Sequence, residues 1–177
     1  MNKSPSPAIL VLTGASGAGK TTLALKLNEL AIPGVKGFNC DRVKIESQET
    51  TGADRQADVL RYWISHLSEA ETGIELAVLD TQIRPHRAFE VLREAAVHYA
   101  QIVLVDCDPV KRNERLHVDR GQPELANPRM DCWAAYLRGQ ADALKLSIID
   151  TSNDPMEKSL AELELLVRDL LTRARAA

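Results

Sequence analysis

Five short apolar runs punctuate the chain: "AILVL" from Ala8, "VKGFNC" from Val35, "IELAVLD" from Ile74, "QIVLVDC" from Gln101 and "SIIDT" from Ser147. Their length and continuity suit strands buried on both faces. Between them the apolar positions recur at helical spacing. Leu60, Trp63, Ile64 and Leu67 share one face, as do Phe89, Leu92, Ala96 and Tyr99, and further on Met130, Trp133, Leu137, Ala141 and Leu144. The last segment carries a helix start signal, with Asp154 as N-cap, Pro155 in the first turn and Glu157 three residues after the cap. Leu160, Leu163, Val167 and Leu170 then form its buried stripe.

Strands alternating with amphipathic helices predict a mainly parallel five-stranded sheet covered on both faces, a three-layer α/β domain. The stretch "HVDRGQPELANPRM", residues 117–130, breaks the rhythm with two prolines, a glycine and no apolar period, and reads as a loop between helices. With 177 residues and 45% hydrophobic content, residues 1–177 make one compact domain. The opening "MNKSPSPAIL" lacks a signal-peptide apolar segment, so residues 1–7 are expected to be a flexible leader.

Charge and cysteine content narrow the class. A net charge of −3 gives no general attraction for DNA or an acidic membrane surface, so an anionic ligand must be held by local groups. No run reaches the roughly 18 apolar residues of a membrane span. Cys40, Cys107 and Cys132 lack CxxC spacing, and their odd number suits a reducing, cytoplasmic setting with all three as small core residues. His66, His86, His98 and His117 have no metal-ligand spacing, and Trp63 and Trp133 fall on apolar stripes that suggest core packing.

The candidate chemistry begins in "LVLTGASGAGKTTLAL". Gly14, Gly19, Lys20 and Thr21 complete G-x-x-x-x-G-K-[ST] between a strand and a helix, the context its mechanism requires. In such a loop, Gly14, Ala15, Ser16, Gly17, Ala18, Gly19, Lys20, Thr21 and Thr22 turn successive backbone N–H groups toward a polyphosphate, aided by the helix N-terminus. Lys20 reaches the β- and γ-phosphates and the Thr21 hydroxyl ligates Mg²⁺. A dinucleotide fingerprint fits worse, because Thr22 stands where glycine or alanine is wanted.

Other residues must decide the fate of the bound triphosphate. "AVLDTQ" lacks the Asp-Glu pair of motor ATPases, and no Asn-Lys-x-Asp is present to read guanine, so transfer is favoured over hydrolysis. Asp41, in "GFNCDR", closes the second strand at the edge where open α/β sheets bind ligands. Its carboxylate could take the proton of an acceptor hydroxyl and orient the oxygen, or could simply cap the next helix. In "QIRPHR", Arg84 or Arg87 could grip an anionic acceptor, or both could lie in solvent.

The chain resembles the small-molecule P-loop kinases, a group that includes adenylate, shikimate and gluconate kinases, chloramphenicol phosphotransferase and zeta-toxin-like kinases. The resemblance rests on "GASGAGKTT", "FNCDR", "VLD" and "DCDPVKRNERLHVDRG" and spans nearly the whole sequence. It implies a P-loop NTPase fold with a lid after the fourth strand, at residues 117–130, and ATP and Mg²⁺ as cofactors. It also implies Asp41 as base or acceptor-orienting group and Asp80 as a metal-holding acid acting through a water. Arg115 would lie against the adenine and Arg120 would reach the phosphates, with Arg112 and Arg129 as alternatives. The turn Thr151–Asn153 would run beside the base.

The activity so implied is transfer of the γ-phosphoryl group to a small-molecule acceptor, through a hydroxyl. A nucleoside, nucleotide or RNA-end kinase and a non-catalytic ATP-binding regulator are the alternatives. Neither the acceptor nor the oligomeric state follows from these residues.

Overall fold

The computed structural model describes residues 6–40, 52–69, 73–153 and 155–176, with nothing taken from the side chains of residues 52–54. The strands are β1 (Ala8–Thr13), β2 (Val35–Asn39), β3 (Leu76–Asp80), β4 (Ala100–Asp106) and β5 (Ser147–Asp150). The helices are α1 (Lys20–Glu29), α2 (Gly52–Glu69), α3 (Pro85–Glu94), α4 (Pro109–Val118), α5 (Pro128–Ala143) and α6 (Met156–Arg175). The five strands pair in the order β2-β3-β1-β4-β5, and every pairing is parallel. β1, the central strand, is buried at all six positions.

Alternation along the strands divides the core in two. Leu10, Leu12, Val78 and Val105 face α1 and α6, which contribute Leu23, Leu27, Leu163 and Val167. Ile9, Val11, Ala77 and Leu79 face the opposite way, against Leu60 and Ile64 of α2 and Ala88 and Val91 of α3. Leu104 adds a smaller cluster with Leu137 and Ala141 of α5. The expected three layers are present, and the sheet is wholly rather than mainly parallel.

Register fixes which residues meet at the carboxyl edge. Leu12 pairs with Asp80 in one direction, and Asn39 pairs with Asp80 in the other. The ends of β1, β2 and β3 therefore open onto one crevice, the place where ligands bind in sheets of this type.

Several sequence expectations need correction. The stripe Phe89–Leu92–Ala96–Tyr99 is not one helical face. α3 ends at Glu94, Ala96 turns left-handed (φ 51°), and Val97 N–H donates to Leu92 C=O in a Schellman-type closure. Its buried residues are Pro85, Ala88, Val91 and Leu92, while Phe89 is exposed.

The interruption assigned to 117–130 is shorter, because α4 runs to Val118 and α5 starts at Pro128 with the Asn127 side chain capping Met130 N–H at 2.9 Å. What remains, residues 119–127, contains a 3₁₀ turn at Pro123–Leu125. In the predicted leader, Pro7 is already buried. Asp154, the expected cap of α6, lies outside the described residues, and Pro155 precedes the first helical residue instead of occupying the first turn. Cys40 and Cys107 are buried as expected, but Cys132 is exposed on α5. Trp133 is also no simple core residue, because it lines a cavity.

Candidate active site

The loop from Gly14 to Gly19 is shaped by what lies beneath it. A Cβ on Gly14 would stand 2.2 Å from the Val105 carbonyl oxygen, so the chain crosses β4 at a distance only glycine allows. A Cβ on Gly17 would meet Cγ of Arg112 at 2.9 Å and Cγ of Leu116 at 3.0 Å, which seats the loop directly on α4. Gly19 is the N-cap of α1, and the first intrahelical bond runs from Leu23 N–H to Gly19 C=O at 3.0 Å. The amides of Thr21 and Thr22 thus precede the helical ladder and belong to an anion-binding N-terminus. Lys20 is buried and folds back over the loop, its Nζ donating to Ala15 C=O at 3.0 Å.

Thr21 and Asp80, predicted as metal ligands, are brought together: the Thr21 hydroxyl donates to Asp80 Oδ2 at 2.5 Å. Asp80 is only 1% exposed, at the end of a central strand. A hydroxyl and a carboxylate converging beside a phosphate-binding loop are the hard oxygen donors that Mg²⁺ selects, so these residues fit such an ion.

Arg115 and Thr151 form a second node. Arg115 donates to Thr151 Oγ1 at 2.8 Å and to Thr151 C=O at 2.6 Å, and the Thr151 hydroxyl reaches Ala18 C=O at 2.8 Å. Arg115 therefore stands beside the loop at the end of β5, where the resemblance expects the base. Burial pushes the neighbouring Cys107 thiol up in pKa, and the Arg115 charge offsets this in part.

The other arginines have separate fates. Arg112, an alternative for either lid role, is buried; it donates to Cys107 C=O at 3.3 Å and to Asp131, and braces Gly17 from below. Arg120 is exposed; its amide caps α4 on Arg115 C=O at 3.1 Å, and its side chain makes no hydrogen bond or ion pair among the described residues. Asp41 lies outside the described residues.

A cavity of about 920 Å³ opens beside the loop, between α2, the β3–α3 turn and α5. Gln82 connects the two, lining the cavity while lying 3.5 Å from the Ser16 hydroxyl. Arg84 and Arg129 also line it, and Trp133 and Tyr136 form an aromatic wall. Arg87 instead pairs with Glu90 at 2.5 Å. The brace by Arg112, the Thr151 node and the Trp133–Tyr136 wall were not recognisable in the sequence. The spacing of Trp133 and Tyr136, three residues apart on a helix, was the one available signal for the wall.

A wholly parallel sheet with β1 between β3 and β4, a G-x-x-x-x-G-K-[ST] loop after β1 and an acid closing β3 define the fold of the P-loop NTPase kinases. Solved structures that share the fold include three small-molecule kinases. A shikimate kinase from Acinetobacter baumannii, in complex with shikimate, aligns with a TM-score of 0.60 at 18% identity, over 93% of this chain and 94% of that one. A gluconokinase from Sinorhizobium meliloti 1021 aligns at 0.58 and 18% identity, over 95% and 98%. The Mycobacterium tuberculosis APS kinase, in complex with AMPPNP and APS, aligns at 0.55 and 20% identity, over 95% and 99%. No protein-family model matches the chain, and no curated protein matches it either. Among the described residues no helix is long and apolar enough to cross a membrane.

Proposed function

We propose that the chain is an ATP-dependent phosphotransferase that moves the γ-phosphoryl group to a hydroxyl of a small molecule. The observation that carries this reading is adjacency: the loop that fits a triphosphate and the Thr21–Asp80 pair that fits Mg²⁺ share a crevice with a separate cavity, joined to it at Gln82. A nucleotide sensor needs the first without the second. The kinase fold of the structural neighbours agrees with it.

In this reading Lys20 and the loop amides hold the phosphate oxygens as charge moves toward the leaving oxygen. Mg²⁺, held by Thr21 and by Asp80 through a water, would supply positive charge at the phosphates. Arg115 supports the base and Arg120 approaches the phosphates. Asp41 orients the acceptor; β2 supports this role by ending opposite Asp80, at the same sheet edge. The acceptor oxygen forms the new bond to phosphorus as the bond to ADP breaks, and the hydroxyl proton passes to Asp41. Three free cysteines accord with a reducing, cytoplasmic setting.

The test is a screen of hydroxylated metabolites for acceptor-dependent ADP formation, with Lys20→Ala as the blank. For the acceptor so found, Asp41→Asn is expected to lower kcat by about 10²-fold or more while ATP affinity stays the same. ATP binding with no acceptor-dependent turnover across the screen would refute the proposal.

A further inference from the structure

The cavity beside the loop has an unusual charge arrangement. Arg84 is held in its wall by ring faces: its guanidinium carbon lies 5.7 Å from the ring centroids of both Trp133 and Tyr136. Those rings are themselves stacked, with centroids 5.6 Å apart and planes 21° from parallel. A cation held over aromatic faces keeps its in-plane N–H donors uncommitted, whereas one held by a carboxylate does not. Arg84 makes no ion pair among the described residues, and its Nε is buried with no hydrogen-bond acceptor among them. Such a donor is costly to leave unsatisfied, and the side chain that carries it lines an open cavity.

The rest of the lining points the same way. Arg129 is a second cation, and no aspartate or glutamate lines the cavity among the described residues. Asp131, the nearest acid in sequence to Arg129, is engaged by the buried Arg112 instead. Arg87, the other arginine of the β3–α3 turn, has its own carboxylate in Glu90. Two cations without a counter-charge among the described residues, set against low-dielectric aromatic walls, raise the positive potential of this wall of the cavity.

We infer that the small molecule this cavity receives carries an oxyanion, a carboxylate or phosphate group, which Arg84 grips along its guanidinium edge while Trp133 and Tyr136 hold the guanidinium face. A planar fork of donors matches either group in two-point geometry. Neutral polyols can accept a hydrogen bond from Arg84 but leave its charge uncompensated, and cationic amines are repelled, so both are disfavoured against an oxyanion. This inference rests on the phosphotransferase reading only in taking the cavity as the acceptor site; the cavity and its arginine stand without it.

The test uses Trp133 as its own reporter. Trp63 packs elsewhere, against Phe38, and its indole N–H has no partner among the described residues, so Trp63→Phe removes the second tryptophan without breaking a bond. In that background, benzoate, its neutral isostere benzamide and inorganic phosphate are titrated at constant ionic strength while Trp133 fluorescence is followed. Phosphate is titrated with Lys20→Ala added, so that the loop does not compete for it.

Saturation by benzoate, by phosphate or by both at millimolar concentration is expected, the active arm giving the kind of oxyanion. Binding should be at least about tenfold weaker in Arg84→Gln and intermediate in Arg84→Lys, which keeps the charge and loses the fork. Circular dichroism confirms that both variants fold; Arg84→Lys carries the comparison if Arg84→Gln does not. Equal binding of benzamide, Arg84 variants that bind like the parent, or no saturation by either anion overturns the inference. ATP affinity is measured in parallel. Its absence in the parent would defeat the kinase reading and leave the anion result standing, whereas anion failure with intact ATP binding defeats this inference alone.

Discussion

Thr151→Val is the most direct test of how the nucleotide loop is tied down. The Thr151 side chain is 2% exposed. Its hydroxyl has one proton and two carbonyls in reach, Ala18 C=O at 2.8 Å and Asp106 C=O at 3.1 Å, and it accepts from Arg115 at 2.8 Å. The Asp106 carbonyl already receives Thr151 N–H at 2.9 Å, so the hydroxyl proton is best used on Ala18. Valine has almost the same shape and neither function.

The substitution leaves the Ala18 carbonyl without its donor, at about 1–3 kcal/mol, and removes one of the two bonds Arg115 makes to Thr151, a loss that water can offset in part because Arg115 is half-buried. About 2–4 kcal/mol in total is expected, a large share of the about 5–15 kcal/mol that holds a typical domain folded. In urea, with a slope of about 2 kcal/mol/M, the midpoint should fall by about 1–2 M with the slope unchanged. Thr151→Ser keeps the hydroxyl and loses one methyl, at about 1 kcal/mol. If serine proves as damaging as valine, or worse, the node is a packing contact and the hydrogen-bond argument is wrong.

Other outcomes follow from the same geometry. Gly14→Ala forces its Cβ onto the Val105 carbonyl and should cost at least about 3 kcal/mol in urea unfolding, together with most ATP affinity; a variant as stable as the parent would mean that the crossing relaxes freely. Iodoacetamide near pH 8 should alkylate exposed Cys132 first, with buried Cys40 and high-pKa Cys107 slower by about 100-fold or more, as read by peptide mass mapping; comparable rates at all three would contradict the burial. The Glu75 carboxyl is held below its usual 4.5 chiefly by hydrogen bonds from Arg175. Its contribution is therefore complete above the usual carboxylate range and is lost as pH falls through the lowered value. The difference in urea midpoint between the parent and Glu75→Gln should be full above the usual carboxylate range and close as pH falls below it, and a difference independent of pH would refute the assignment.

The strands were legible because residues buried on both faces must be apolar on both sides, and the loop because its spacing has few other uses. Thr21 and Asp80 could be paired in advance for the same reason, since strand ends in such sheets meet at one edge. Helix ends were harder to read: α3 stops at Glu94 through a backbone closure at Ala96, and alanine gives no hint of a left-handed turn. In the sequence Arg112 reads as an alternative lid arginine, and its burial depends on Asp131 arriving from the next helix. Trp133 sits on an apolar stripe as read, but a stripe does not say whether it faces a neighbouring helix or a cavity wall. Such features arise from tertiary neighbours, which a local pattern does not encode.

The seating of Gly17 on Arg112 and Leu116, with the clasp between Arg115 and Thr151, joins the root of α4 to the P-loop as one rigid block. A swing of the segment that follows would have to pivot past Val118, leaving Arg115 in place and carrying Arg120 with it. In the proposed kinase reading, closure over a nucleotide would then leave the floor beneath it undisturbed, and exchange of product for fresh substrate would not unmake the phosphate cradle.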